Sequence, residues 1–171
     1  MTDENKVIIE IVDPEKLGRE ERKKLVDEII SLSRQYQKIM RLHLDVSKNH
    51  VETGEMDKYY YDVALDDLNN LFIVAKTEGN SPIIGYTYSE ICHKHDDLVS
   101  PPFIIVNEVA IDDHYRKNEL KQALMAKIEE IAKIKKIKQI VIDVHEFNKE
   151  SLEVYEASGF KTLIRKMIKT I

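Results

Sequence analysis

The chain has 171 residues, enough for one domain with a sizeable core, and its 43% hydrophobic and 33% charged composition is globular rather than disordered. A formal net charge of −5 leaves no overall basic footprint for a nucleic-acid backbone, and no apolar run approaches the ~20 residues that span a bilayer. Cys92 is the only cysteine, which excludes an internal disulfide. Residues 1–6 lack the basic and apolar pattern of a signal peptide, so the reducing cytoplasm is the expected location.

Residues 6–12 alternate weakly and read as a first strand. Asp13-Pro14 then has the form of an N-cap followed by proline at the first helical position. Leu25, Ile29, Leu32, Tyr36, Met40 and His43 recur at steps of three and four and mark one face of a long helix. Residues 45–55 are polar, contain Gly54 and read as a loop; residues 56–70, with Tyr59, Tyr60 and Tyr61, read as a shorter helix. Residues 71–76 and 82–91 form a strand pair around the turn signal Gly79-Asn80. A loop closes at Pro101-Pro102, and residues 103–111 are a near-continuous apolar strand suited to burial on both faces. Residues 119–135 make an amphipathic helix with Leu120, Leu124, Ile128 and Ile131 on one face. A buried strand at 139–144, a helix at 148–158 and a final strand at 160–169 complete the order. The expected class is α/β, of the α+β kind: residues 1–171 as one domain, with a mixed central sheet and helices on both faces.

The basic run Lys133, Lys135, Lys136 and Lys138 ends a helix, where cations complement the dipole. His93-Lys94-His95-Asp96-Asp97 has no further ligand cluster to support it and reads as a solvated loop, so no metal is expected.

Two stretches carry chemistry. Residues 109–122 read V-A-I-D-D-H-Y-R-K-N-E-L-K-Q: a buried strand runs through a short polar loop straight into a helix. Such a junction aims free backbone N–H groups and a positive helix end at one spot, and Arg116, Lys117 and Lys121 add charge there. Residues 148–160 read N-K-E-S-L-E-V-Y-E-A-S-G-F. Asn148 suits an N-cap, Phe147 and Leu152 stand at staple positions, Gly159 suits a left-handed C′ position, and Phe160 can fold back on Tyr155.

The strand end Val109-Ala110-Ile111, then Tyr115-Arg116 and a helix, then Asn148…Tyr155…Gly159-Phe160, resembles the GNAT N-acetyltransferases over residues 71–171. The resemblance implies acetyl-CoA as co-substrate, no metal and no covalent enzyme intermediate: a deprotonated amine attacks the thioester directly. By that resemblance Val109, Ala110 and Ile111, beside a strand bulge, pair with pantetheine like an added strand. Amides of Arg116, Lys117, Asn118, Glu119, Leu120, Lys121 and Gln122 hold the pyrophosphate. Asn148 bonds the pantetheine arm, and Tyr155 is the general acid on the departing thiolate. The family's loop, Arg/Gln-x-x-Gly-x-Gly/Ala, carries Glu119 and Lys121 here in place of its two small residues.

Asp143, on the strand where similar enzymes carry an acid facing the acceptor, and Glu108, mid-strand among apolar residues, are both candidate bases. An unpaired carboxylate at Glu108 would be costly. Tyr59 to Tyr61 fit either an acceptor pocket or ordinary packing. The leading expectation is an acetyltransferase acting on a primary amine of a small molecule or peptide. The alternative is a non-catalytic module of the same fold that binds a small molecule or protein. A long C-terminal edge strand would invite pairing into a homodimer.

Overall fold

The computed structural model describes residues 6–43, 58–79, 81–94, 99–115, 117–167 and 169, with the side chains at 39–43 and 117 outside that set. The expected loop at 45–55, Arg116, residues 95–97 of the histidine–aspartate stretch, and the side chains of Met40 and His43 therefore lie outside the description.

Strand β1 (Val7–Ile11) leads through a short 3-10 turn, capped by Asp13 Oδ1 on Glu15 N (3.2 Å), into α1 (Arg19–His43). Glu21 closes the start of α1 by accepting from Gly18 N at 3.0 Å, which satisfies a donor the helix itself cannot. Helix α2 (Lys58–Asp66) stops four residues earlier than its sequence pattern predicts. Asp67 accepts from Asn69 N through Oδ1 (2.9 Å) and from Asn70 N through its carbonyl (2.9 Å), and this local turn outcompetes another helical turn. Strands β2 (Asn70–Thr77) and β3 (Ile83–Cys92) form the expected hairpin, with Gly79 at φ 92° in its turn. Then come β4 (Phe103–Ile111), α3 (Lys117–Ile134), β5 (Ile140–Ile142) and α4 (Lys149–Ala157).

The strands stand in sequence order in one mixed sheet, antiparallel from β1 to β4, with β5 parallel to β4. Leu71, Ile73 and Ala75 of β2 and Ile104 and Val106 of β4 pack under Leu124, Ile128 and Ile131 of α3 and Tyr155 of α4. Phe72, Val74, Tyr86 and Tyr88 pack on the opposite side against Ile29 and Leu32 of α1 and Tyr61, Ala64 and Leu65 of α2. Helices therefore cover both faces, as expected. Lys133, Lys135, Lys136 and Lys138 are exposed around the C-terminal end of α3, in keeping with their sequence pattern.

Two expectations fail at the C-terminal side. Strand β5 is three residues long and half-buried, not a buried strand reaching Val144, so Asp143 lies one residue past its end. No strand forms over residues 161–167, and Leu163 (56%), Ile164 (55%) and Met167 (87%) stay exposed. Their β-prone side chains are not sufficient: a strand is held by a ladder partner, and β5 offers a very short edge. The long edge strand that would have favoured pairing between subunits is absent from the described residues.

Candidate active site

The register between β3 and β4 runs Tyr88↔Glu108 and then Ser89↔Val106, leaving Asn107 as one extra residue, a β-bulge. Its consequence is a change of side. Ile104 and Val106 face α3, and strict alternation would send Glu108 and Ala110 the same way. Instead Ala110 packs with the α1–α2 core, and Glu108 meets residues of α1 and α2.

The bulge also marks where the sheet opens. Pairing between β4 and β5 ends at Val106↔Ile142. Beyond it Glu108, Val109, Ala110 and Ile111 on one side, and Asp143 and Val144 on the other, line one cavity. Lys121 from α3, Asn148, Ser151 and Tyr155 from α4, and Gln35 and Tyr36 from α1 complete its walls. An extended chain entering this gap would meet the side of β4 that β5 has left unpaired, which is the geometry of strand addition.

Glu108 is 9% exposed and is not the unpaired carboxylate that its apolar neighbours threatened. Ser33 Oγ donates to Oε1 at 2.6 Å and Tyr61 OH donates to Oε2 at 2.7 Å. Tyr86 OH stands 3.3 Å from Tyr61 OH, and Gln37 Nε2 donates to Ser33 Oγ at 3.3 Å. Burial, reinforced by the charge on Glu108, raises both Tyr61 and Tyr86 above the ordinary phenol value, so both stay protonated donors.

Helix α4 holds Tyr155 through local signals. Asn148 Oδ1 accepts from Ser151 N at 3.2 Å and caps the first turn. At the other end Gly159 sits at φ 92°, its N–H donates to Glu156 O (3.0 Å), and Phe160 N donates to Tyr155 O (3.0 Å). That is a Schellman closure, and the Phe160 ring lies against Tyr155 with centroids 5.8 Å apart. Tyr155 is 5% exposed; burial is the main cause, and nearby Tyr36 the lesser one, that raises it above the ordinary phenol value. A phenol held neutral is a proton donor. Phe147, at the expected staple position, stacks on His145 with centroids 5.2 Å apart.

The predicted loop residues divide. Helix α3 begins at Lys117, two residues before the expected start, so Asn118 and Glu119 belong to its first turn; both are exposed, as is Gln122. Leu120 is buried against β3: a Cβ built on Gly85 would meet Leu120 Cδ2 at 3.3 Å. Lys121 is 9% exposed and lines the cavity, with Nζ 2.8 Å from Ser151 Oγ and 5.9 Å from the Tyr155 ring centre. Of the described residues of α3, Lys121 reaches the cavity. Among the described residues no group of three or more His, Cys, Asp or Glu is placed to hold a metal ion, and no helix is long and apolar enough to cross a membrane.

Sequence reading misses Ser33, Gln35, Tyr36 and Ser151 as site residues. Ser33 carries one signal, a hydroxyl inside the apolar stretch of α1 beside Ile29, Ile30 and Leu32.

The chain belongs to the acetyltransferase (GNAT) family, whose sequence model matches residues 36–160. Solved structures with the same fold include a tetramutant of the BH1408 protein from Bacillus halodurans, at TM-score 0.72 and 13% identity, covering 96% of this chain and 99% of that one. An aminoglycoside acetyltransferase, meta-AAC0020, from an uncultured soil metagenomic sample, in complex with trehalose, superposes at TM-score 0.69 with 15% identity over 98% of both chains. AAC(6')-Iy in complex with the bisubstrate analogue CoA-S-monomethyl-acetylneamine superposes at TM-score 0.67 with 14% identity, covering 97% of this chain and 98% of that one. No curated protein matches the chain.

Proposed function

We propose that the protein transfers an acetyl group from acetyl-CoA directly to a primary amine on a cationic small molecule or peptide, in the cytoplasm. One observation carries this reading. The gap between β4 and β5 brings a buried phenol, Tyr155, and a hydrogen-bonded carboxylate, Glu108, to the walls of a single cavity.

Pantetheine extends along Val109, Ala110 and Ile111, with Asn148 beside it and the pyrophosphate over the amides at the start of α3. The amine nitrogen attacks the thioester carbonyl; the C–N bond forms and the C–S bond breaks. Tyr155 protonates the departing thiolate, and Glu108 takes the proton that the amine gives up. Glu108 is preferred to Asp143 because Asp143 is exposed past the end of β5, where water competes for any proton it would take. Asp143, Asp113 and Glu150 also line the cavity and favour an acceptor with more than one positive charge. The aminoglycoside acetyltransferases among the structural neighbours support an acceptor of that kind.

A second reading rests on Lys121. At the second of the family's small loop positions a buried lysine fills space beside Ser151 and Tyr155, which favours a non-catalytic module of the same fold. Calorimetry with acetyl-CoA, followed by an assay of free thiol release with spermidine and an aminoglycoside, separates the two. Coenzyme binding with thiol release upholds the enzyme; no binding removes it.

A further inference from the structure

We infer that Ser33 and Tyr61 are positioning residues for the acetyl transfer, holding the Glu108 carboxylate so that its unused lone pairs face the amine. This rests on the acetyltransferase reading above and deepens it.

The two hydroxyls come from separate elements, α1 and α2, and reach separate oxygens, Oε1 at 2.6 Å and Oε2 at 2.7 Å. One hydrogen bond would leave the carboxyl group free to swing; two from different helices fix both its plane and its direction. A carboxylate has about four lone-pair sites, so each oxygen keeps capacity for an incoming N–H. The donors are themselves held: Ser33 accepts from Gln37, and Tyr61 OH lies 3.3 Å from Tyr86 OH. Ser33 and Tyr61 are fully buried, and Arg22 of α1 anchors α2 through Asp62 and, at 2.8 Å, Asp66. Packing alone does not require this chemistry, because a phenylalanine and an alanine would fill the same space without burying two hydroxyls.

The titratable groups around Glu108 are Tyr36 on α1, Tyr61 on α2 and Tyr86 and Tyr88 on β3. Across the cavity stand Asp113, Lys121, Asp143, His145, Glu150 and Tyr155. Hydrogen-bond donors to a carboxylate favour its charged form.

The test compares Tyr61→Phe and Ser33→Ala with the parent, using acetyl-CoA and spermidine. Each variant is expected to lower kcat about tenfold, leave KM for acetyl-CoA unchanged and move the acid limb of the pH–rate profile to higher pH. The Glu108 carboxyl carbon resonance, assigned by its loss in Glu108→Gln, should move in both variants at pH 7, with or without turnover. If the parent is active and both variants keep its kcat and acid limb, the inference falls while the acetyltransferase reading stands. If the parent releases no thiol with any amine, the acetyltransferase reading falls and the positioning role with it. Should Tyr61→Phe fail to fold, Ser33→Ala decides alone on the same readouts.

Discussion

Lys121 Nζ donates to Ser151 Oγ at 2.8 Å, so a side chain of α3 crosses to the first turn of α4, whose cap, Asn148, accepts from the backbone of the same Ser151. The family keeps a small residue at this position of the loop. On the proposed acetyltransferase reading, a long side chain replaces the backbone's close approach, and the task of meeting an anion passes to its cation.

Lys121→Met tests that exchange, because methionine keeps much of the length and loses the charge. Acetyl-CoA should bind on the order of tenfold more weakly by calorimetry, as expected for one charge-assisted contact. The unliganded protein should melt no lower than the parent, since a buried ammonium is itself a burden on the fold. Unchanged affinity would place the cation away from the phosphates and strengthen the non-catalytic reading.

Tyr155→Phe should lower kcat ~10²-fold and leave acetyl-CoA affinity nearly intact, because only the proton donor is lost while the ring still packs on Phe160. Stopped-flow thiol detection beside calorimetry makes the comparison. Full turnover in the variant would remove the phenol from the mechanism.

Glu108→Gln and Asp143→Asn divide the two acids. The first should abolish the acid limb of the pH–rate profile and most of kcat. The second should raise KM for a polycationic acceptor several-fold and keep the limb, since Asp143 is exposed at the cavity wall. The opposite pattern would make Asp143 the base.

Much of this site is written locally in the chain, and part of it is not. Helix α4 is legible from Asn148 to Gly159 in the amino-acid sequence alone, because a cap, a left-handed glycine and a folded-back Phe160 act within a few residues of one another. The β2–β3 hairpin is legible for the same reason. The bulge at Asn107 is not, since it exists only relative to the facing strand. Nor is the meeting of Ser33 and Tyr61 on Glu108, whose positions are 75 and 47 residues from it in sequence. The expected strand at 160–169 fails because side-chain propensity says nothing about whether an edge is there to receive it.

Alkaline pH should unfold the protein through its buried phenols. Tyr61, Tyr86 and Tyr155 are all raised, in each case chiefly by burial. A raised group lends its full stability below its unfolded value, ~10 for tyrosine, and loses it as pH climbs from there toward the folded value. Urea midpoints should therefore show no tyrosine contribution to their pH dependence between pH 7 and about 9, then fall steeply above about 10. Tyr155→Phe should soften that fall, and an identical alkaline slope in the variant would contradict it.

Glu119→Gly restores the first small residue of the loop. Glu119 lies in the first turn of α3, exposed, where a carboxylate favours the empty helix by roughly 0.3–1 kcal/mol through the dipole. Glycine there also adds an entropy cost of ~1 kcal/mol. The same carboxylate repels a pyrophosphate arriving at those amides. The variant should therefore start from a lower melting midpoint and gain more from acetyl-CoA than the parent does, because the ligand's contribution grows with the ratio of its concentration to Kd. A thermal-shift titration reads both quantities from one series. If the parent binds well and the variant binds no better, the Glu119 carboxylate stands clear of the phosphates, and Lys121 alone distinguishes this loop from the family pattern.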